Sequence, residues 1–159
     1  MTLQNDRGRR WALLALRLVV GYGFIAHGMA KWTRGPAKFA RLLDVIGVPF
    51  PLPNAWLVTF VEVFGGLAIL VGAFVAIASI PLIVSMLVAM FTLQLRYGFS
   101  SVNTIGLTPS GPIFGPPGYE INLLYVASLA ALAILGPGRI TLAGALARRR
   151  RGEPHRRRA

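Results

Sequence analysis

From Trp11 to Leu135 the chain is mostly Leu, Val, Ala, Ile, Phe and Gly, arranged in four stretches long enough to cross a bilayer. A spanning helix needs roughly 20 apolar residues. Only 14% of the 159 residues are charged and the mean hydropathy is +0.61, whereas soluble domains are about 25% charged. The reading is an all-α membrane protein: a four-transmembrane-helix bundle with an interfacial amphipathic helix in its first external loop. Residues 1–147 make one membrane domain and residues 148–159 a basic cytoplasmic tail. No large soluble domain fits in what is left.

The net charge of +12 is concentrated at the ends. Arg7, Arg9 and Arg10 precede the first span; Arg148 to Arg151 and Arg156 to Arg158 follow the last. Cytoplasmic flanks collect Lys and Arg, which puts both termini in the cytoplasm and requires an even number of spans. Basic tails also bind nucleic acid. Beside a span, the expected partners are the bilayer and its anionic headgroups, not nucleic acid. The first segment has the basic flank of a signal peptide, but its apolar run is longer and no small-x-small site precedes Lys31, so it reads as an uncleaved span.

There is no cysteine. Disulfides, thiol relays, iron–sulfur clusters and thioether-linked haem are excluded within this chain. His27 is the only histidine near a span, so one copy cannot supply a bis-histidine haem. No metal site and no covalently bound cofactor are expected, which leans against the isolated chain being an enzyme.

Span one is expected over about 11–29, cytoplasm outward. In the following loop, Pro36 opens and Gly47 closes a helix with Phe39, Leu42, Leu43 and Ile46 on one face and Lys38, Arg41 and Asp44 on the other. The run Val48-Pro49-Phe50-Pro51-Leu52-Pro53 reads as a rigid extended connector. Residues 55–95 carry Glu62 as their only charge before Arg96 and suit a hairpin of two spans. Its turn is expected over Gly72 to Ser79, with Ser79 capping the next helix and Pro81 in that helix's first turn. Residues 97–118 form a second external loop without evident helix or strand, whose apolar members argue for packing. The last span runs from about Tyr119 to Leu135, where Gly136-Pro137-Gly138 stops it.

This topology gathers His27, Lys31, Glu62, Arg96 and Glu120 in the outer half of the bundle. Lys31, Arg96 and Glu120 also suit ordinary interface positions with their heads in water. Glu62 lies roughly 10 Å inside the outer end of its span by the 1.5 Å rise. A carboxylate at that depth needs a partner or a proton. His27 and Lys31 are spaced i, i+4, so both can point at it. Arg17 lies two turns inside the opposite end with no acid at its depth; snorkelling to the surface is one account of it. Tyr22, Phe24, Trp32 and Tyr125 offer a ring-lined wall.

Arg17-x3-Gly21 through His27-Gly28-x2-Lys31, Gly47-Val-Pro-Phe-Pro, Glu62-x2-Gly65-Gly66-x5-Gly72, Gly118-Tyr-Glu120-x-Asn122 and Gly136-Pro-Gly-Arg139 occur in this order. In these stretches the chain resembles the DoxX family of small bacterial membrane proteins, from about Leu13 to Leu142. The resemblance implies a multi-pass, four-helix bundle in the bacterial cytoplasmic membrane with both termini inside. Named members are associated with quinone-linked oxidation of sulfur compounds or with membrane complexes that handle oxidative stress; most have no assigned activity. Two departures stand out. Many relatives carry Asp after the Leu that follows the Gly-Pro-Gly-Arg stretch, where this chain has Ala143. Many carry His near the end of span three, where Arg96-Tyr97-Gly98 stands here.

Three functions remain open at this level. One is a redox-associated subunit offering a site to quinone or a small lipophilic substrate, with a partner supplying the electrons. Another is a structural or assembly subunit of a larger membrane complex, in which the polar layer only fixes helix register. The third, a small-solute carrier, ranks last because no convincing inverted repeat appears.

Overall fold

The computed structural model describes residues 3–138 and Thr141. Arg139, the Leu142-Ala143 departure and the arginine-rich tail lie outside the described residues. The helices are α1 (Leu3–Arg34), α2 (Pro36–Val45), α3 (Pro51–Val71), α4 (Val75–Ala89) and α5 (Glu120–Leu135). α4 continues through a π-helical turn, Met90–Gln94, and a short 3-10 turn, Leu95–Tyr97. Strands β1 (Thr104–Thr108) and β2 (Gly111–Phe114) form an antiparallel hairpin ahead of α5.

Among the described residues, three helical stretches are long and apolar enough to cross a membrane: Gly8–Arg34, Pro51–Val71 and Val75–Tyr97. α5 is apolar but has 16 residues, about 24 Å at the helical rise against about 30 Å of hydrocarbon.

Several boundaries differ from the sequence reading. α1 outruns the span expected over 11–29 at both ends. Pro51 and Pro53 belong to the first turn of α3, where no backbone N–H is needed, so only Val48 to Phe50 connect. The turn between α3 and α4 is short. Gly72, at φ 75°, ends α3, and the Ala73 N–H bonds Ala68 O at 2.9 Å. α4 then starts at Val75, so Ser79 is buried inside it with Oγ on Val75 O at 2.8 Å, and Pro81 is an interior residue. The second loop is not without strand. Thr108 pairs with Gly111 across Pro109-Ser110, and the Thr108 hydroxyl donates to Gly111 O at 2.8 Å.

The densest packing joins α1 to α3 and α4 to α5. α1 and α3 cross antiparallel at glycines. A Cβ on Gly66 would lie 2.8 Å from Gly21 O, and one on Gly28 would lie 2.9 Å from the Val63 nitrogen. Small residues permit this approach, and without them the helices must part. Phe24, Ile69, Leu82, Leu129 and Leu132 fill the centre between the two pairs.

α2 ends as expected, with Gly47 at φ 78° and the Val48 N–H on Leu43 O at 2.9 Å. Its buried line is Pro36, Ala40 and Leu43. Phe39 and Ile46 flank that line, while Leu42 is 41% exposed. The face is therefore turned by about one position from the expected one, because Ala40 can approach Ala55 of α3 more closely than a leucine could. Lys38, Arg41 and Asp44 are exposed as the pattern required.

Arg17 does not snorkel. It is buried, and its guanidinium donates to Ile69 O at 2.9 Å, Leu70 O at 2.8 Å and Pro137 O at 2.8 Å. The carbonyl end of α3 takes the place of the missing acid, as a helix C-terminus carries partial negative charge. One side chain thus ties α1 to α3 and to the segment after α5. Arg17→Met keeps much of the bulk and removes the donors. Unsatisfied buried groups cost about 1–3 kcal/mol each, so its thermal unfolding in detergent should fall well below that of Arg158→Gln. Arg17→Lys should recover only part, since an ammonium lacks the planar fork. Equal melting of Arg17→Met and the tail control would refute the clamp.

Candidate functional site

Beside the hydrophobic core, toward the α2 end of the bundle, lies a cavity of about 930 Å³, lined by residues from all five helices and mostly apolar. α2 closes one end with Phe39, Leu42 and Leu43. Exposed Ile80, Val84 and Val88 of α4 belong to its wall, so it opens through the side of the bundle. Phe24 and Tyr125 meet edge to face, 5.1 Å between centroids, and both line it.

Its polar floor comes from four helices. Glu62 of α3 is 1% exposed, and its Oε2 accepts a charge-assisted hydrogen bond from Lys31 Nζ of α1. The Lys31 ammonium also lies 5.2 Å from the centre of the Phe39 ring, which brings α2 into the contact. Among the described residues, Glu62 Oε1 has only a long contact of 3.5 Å from the Ser85 hydroxyl of α4. One residue further along α4, Met86 O accepts from Asn122 Nδ2 of α5 at 3.2 Å. Arg34 and Lys38 stand exposed at the rim.

The expected layer of five ionisable residues is only partly gathered here. Lys31 and Glu62 meet. His27 lines the cavity but is exposed and makes no hydrogen bond or ion pair with Glu62 in the structure; Lys31, one turn further along α1, reaches back to the carboxylate, as helical side chains lean toward the N-terminus. Arg96 lies outside the cavity on the 3-10 turn, exposed, with its guanidinium 5.0 Å from the Tyr97 ring centre. Glu120 is elsewhere too: its Oε2 accepts the Ser101 N–H at 2.9 Å and pins the hairpin loop to the start of α5. The loop folds back as a hairpin, which supplies Glu120 with a local donor.

The expected ring wall divides likewise. Phe24 and Tyr125 are in it. Tyr22 is 70% exposed, and Trp32 joins Trp56 and Phe60 in an outward aromatic stripe. Sequence reasoning missed Ser85 and Gln94, and named Asn122 only within a family stretch, not as a cavity residue. A neutral amide or hydroxyl inside an apolar helix was the available signal, since such groups seek partners across helices.

A family model described as DoxX matches residues 12–95. The chain belongs to the DoxX family. It is a membrane protein with several apolar helices in contact with lipid. It is similar to the uncharacterized membrane protein Rv3486 of Mycobacterium tuberculosis, 29% identical over 149 residues, 87% of this chain and 83% of that one. No solved structure matches it. The matched DoxX stretch contains Arg17, Lys31, Glu62 and Ser85, whereas Asn122 lies beyond it.

Breaking a buried ion pair by removing one partner typically costs about 3–5 kcal/mol. In the DoxX chain, Glu62→Gln and Lys31→Met should each lower stability to denaturant far more than Glu153→Gln. The double variant should lose less than the sum, by about 0.5–3 kcal/mol. A coupling of zero would show that Lys31 and Glu62 do not meet.

Proposed function

We propose that this chain is a redox-associated membrane subunit whose cavity takes a quinone or another small lipophilic molecule from the bilayer. It lies in the bacterial cytoplasmic membrane as a four-span bundle with both termini inside. α5 serves as the fourth span, α2 lies at the interface, and the arginine-rich tail meets anionic headgroups. The observation that carries this reading is a cavity of about 930 Å³ with apolar walls, a side opening and a charged pair at its floor, Glu62 buried and Lys31 partly exposed. Ligand sites usually combine apolar walls with a few placed polar groups. The chain has no cysteine to build its own redox centre, so electrons come from a partner subunit.

The second reading is a structural or assembly subunit. It draws on the Lys31–Glu62 pair and the Arg17 bonds, which join helices without needing a ligand. Gentle purification followed by lipid extraction separates the two. The first predicts a quinone or other lipophile at close to one per chain, depleted when Val84→Trp fills the cavity opening. An empty protein that co-purifies with an oxidoreductase would favour the second and count against the first.

A further inference from the structure

We propose that the cavity's occupant is an anionic amphiphile: its hydrocarbon tail lies in the cavity, and its phosphate or carboxylate head is held at the rim by Arg34 and Lys38. This rests on the reading of the cavity as a lipophile site and names the chemical class that the site takes. Gly35, at φ 89°, turns the chain from α1 into α2, and the Lys38 N–H bonds Gly35 O at 3.0 Å. Arg34 and Lys38 therefore flank one tight turn, and both line the cavity as exposed residues. Lys31 lines it too. Glu62 is the one acid in the cavity wall among the described residues, and Lys31 already pairs with it. Neither Arg34 nor Lys38 has an acid partner among the described residues. The mouth thus carries positive charge that no described residue neutralises. Under the four-span reading this is the outer end, where topology favours few Lys and Arg.

The shape of the cavity agrees with a lipid-like chain. Ile80, Val84 and Val88, exposed on α4, form the side opening and recur at one-turn spacing over roughly 12 Å of helix. α4 runs toward the end of the bundle that carries α2. The opening therefore runs along the bundle from its apolar part to the cationic mouth. Its volume of about 930 Å³ is near the top of the range for ligand pockets, about 300–1,000 Å³. An arginine fork takes the oxygens of a phosphate or carboxylate two at a time, and a lysine adds a point charge. A neutral lipophile would leave both cations unused. A small inorganic anion would leave the apolar wall empty.

The test uses the full chain in phosphatidylcholine nanodiscs and three probes: dodecyl phosphate, dodecanol and inorganic phosphate. Binding is measured by calorimetric titration at neutral pH, with protein-free nanodiscs subtracted. Dodecyl phosphate should bind about tenfold or more tightly than dodecanol, as expected of charge-assisted bonds. The double variant Arg34→Gln/Lys38→Gln should bring the two probes within about threefold of each other. Arg41→Gln/Lys38 in its native form would remove a single charge only, so the matched control is Arg41→Gln/Arg96→Gln. It removes two exposed cations that do not line the cavity, and should keep the preference. Val84→Trp, which narrows the opening, should weaken dodecyl phosphate as well. Equal binding of dodecyl phosphate and dodecanol would overturn the anion rule and leave the lipophile site standing. Binding of neither would overturn the lipophile site, and this inference with it. Inorganic phosphate bound as tightly as dodecyl phosphate would replace the amphiphile with a soluble anion. An equal loss in the control pair, or none in Val84→Trp, would mean adsorption to a charged surface and would overturn the site. If the Arg34→Gln/Lys38→Gln chain does not fold, the three probes on the unaltered chain and on Val84→Trp still decide.

Discussion

The crossing of α1 on α3 is the contact on which the other features depend. Gly21 and Gly66 meet backbone to backbone, and Gly28 meets Val63. The helices run antiparallel, so residues on either side of the crossing match in reverse order. Arg17, one turn before Gly21, therefore reaches Ile69 and Leu70, about one turn after Gly66. Lys31, just beyond Gly28, reaches Glu62, one turn before Gly66. The glycines bring the backbones together and the charged residues lock the two ends. A side chain at either glycine would widen the crossing and move both polar contacts out of reach. This is a physical reason for the spacings Arg17-x3-Gly21, Gly28-x2-Lys31 and Glu62-x2-Gly65-Gly66 to occur in one chain.

The same tight pairing accounts for the cavity. α1 packs closely on α3, and α4 on α5, but the two pairs touch less intimately. α4 is irregular where they would have to close. Pro81 removes a backbone donor inside the helix, and the chain widens into a π-helical turn at Met90–Gln94. π turns are rare and recur at functional sites. This one carries Thr92, Leu93 and Gln94, all in the cavity wall. α2 then lies over the end of the gap, held by Ala40 and Leu43 on Ala55 and by the Lys31 ammonium against Phe39.

Much of this was legible in the sequence because membrane burial magnifies simple signals. A lone Glu62 in an apolar span needed a partner or a proton, and of the two residues in reach, His27 and Lys31, Lys31 takes it. Pro36, Gly47 and Gly136 marked helix ends that the backbone geometry bears out. Other features depended on short-range competition that hydropathy does not register. Ser79 reads as a cap by residue type, yet the turn at Gly72 to Phe74 was tight enough for α4 to begin a turn earlier. The hairpin was hidden because its strands are short and largely exposed: β1 alternates over only five residues, and β2 is four residues long with Pro112 inside it. Arg96 and Glu120 share a depth with Glu62 in a linear reading. The π and 3-10 turns carry Arg96 out of the cavity wall, and the Ser101 N–H captures Glu120. Depth along a span was readable; direction around the helix was not.

The two polar residues at the cavity floor divide their atoms in the same way. Glu62 spends Oε2 on Lys31, which ties α3 to α1, and keeps Oε1 nearly uncommitted. Asn122 spends Nδ2 on Met86 O, which ties α5 to α4, and leaves Oδ1 without a partner among the described residues. In each case one atom holds two helices together and the other remains an acceptor. The helix contacts fix where each side chain stands, so the place of each oxygen follows from the packing of α1 on α3 and of α4 on α5.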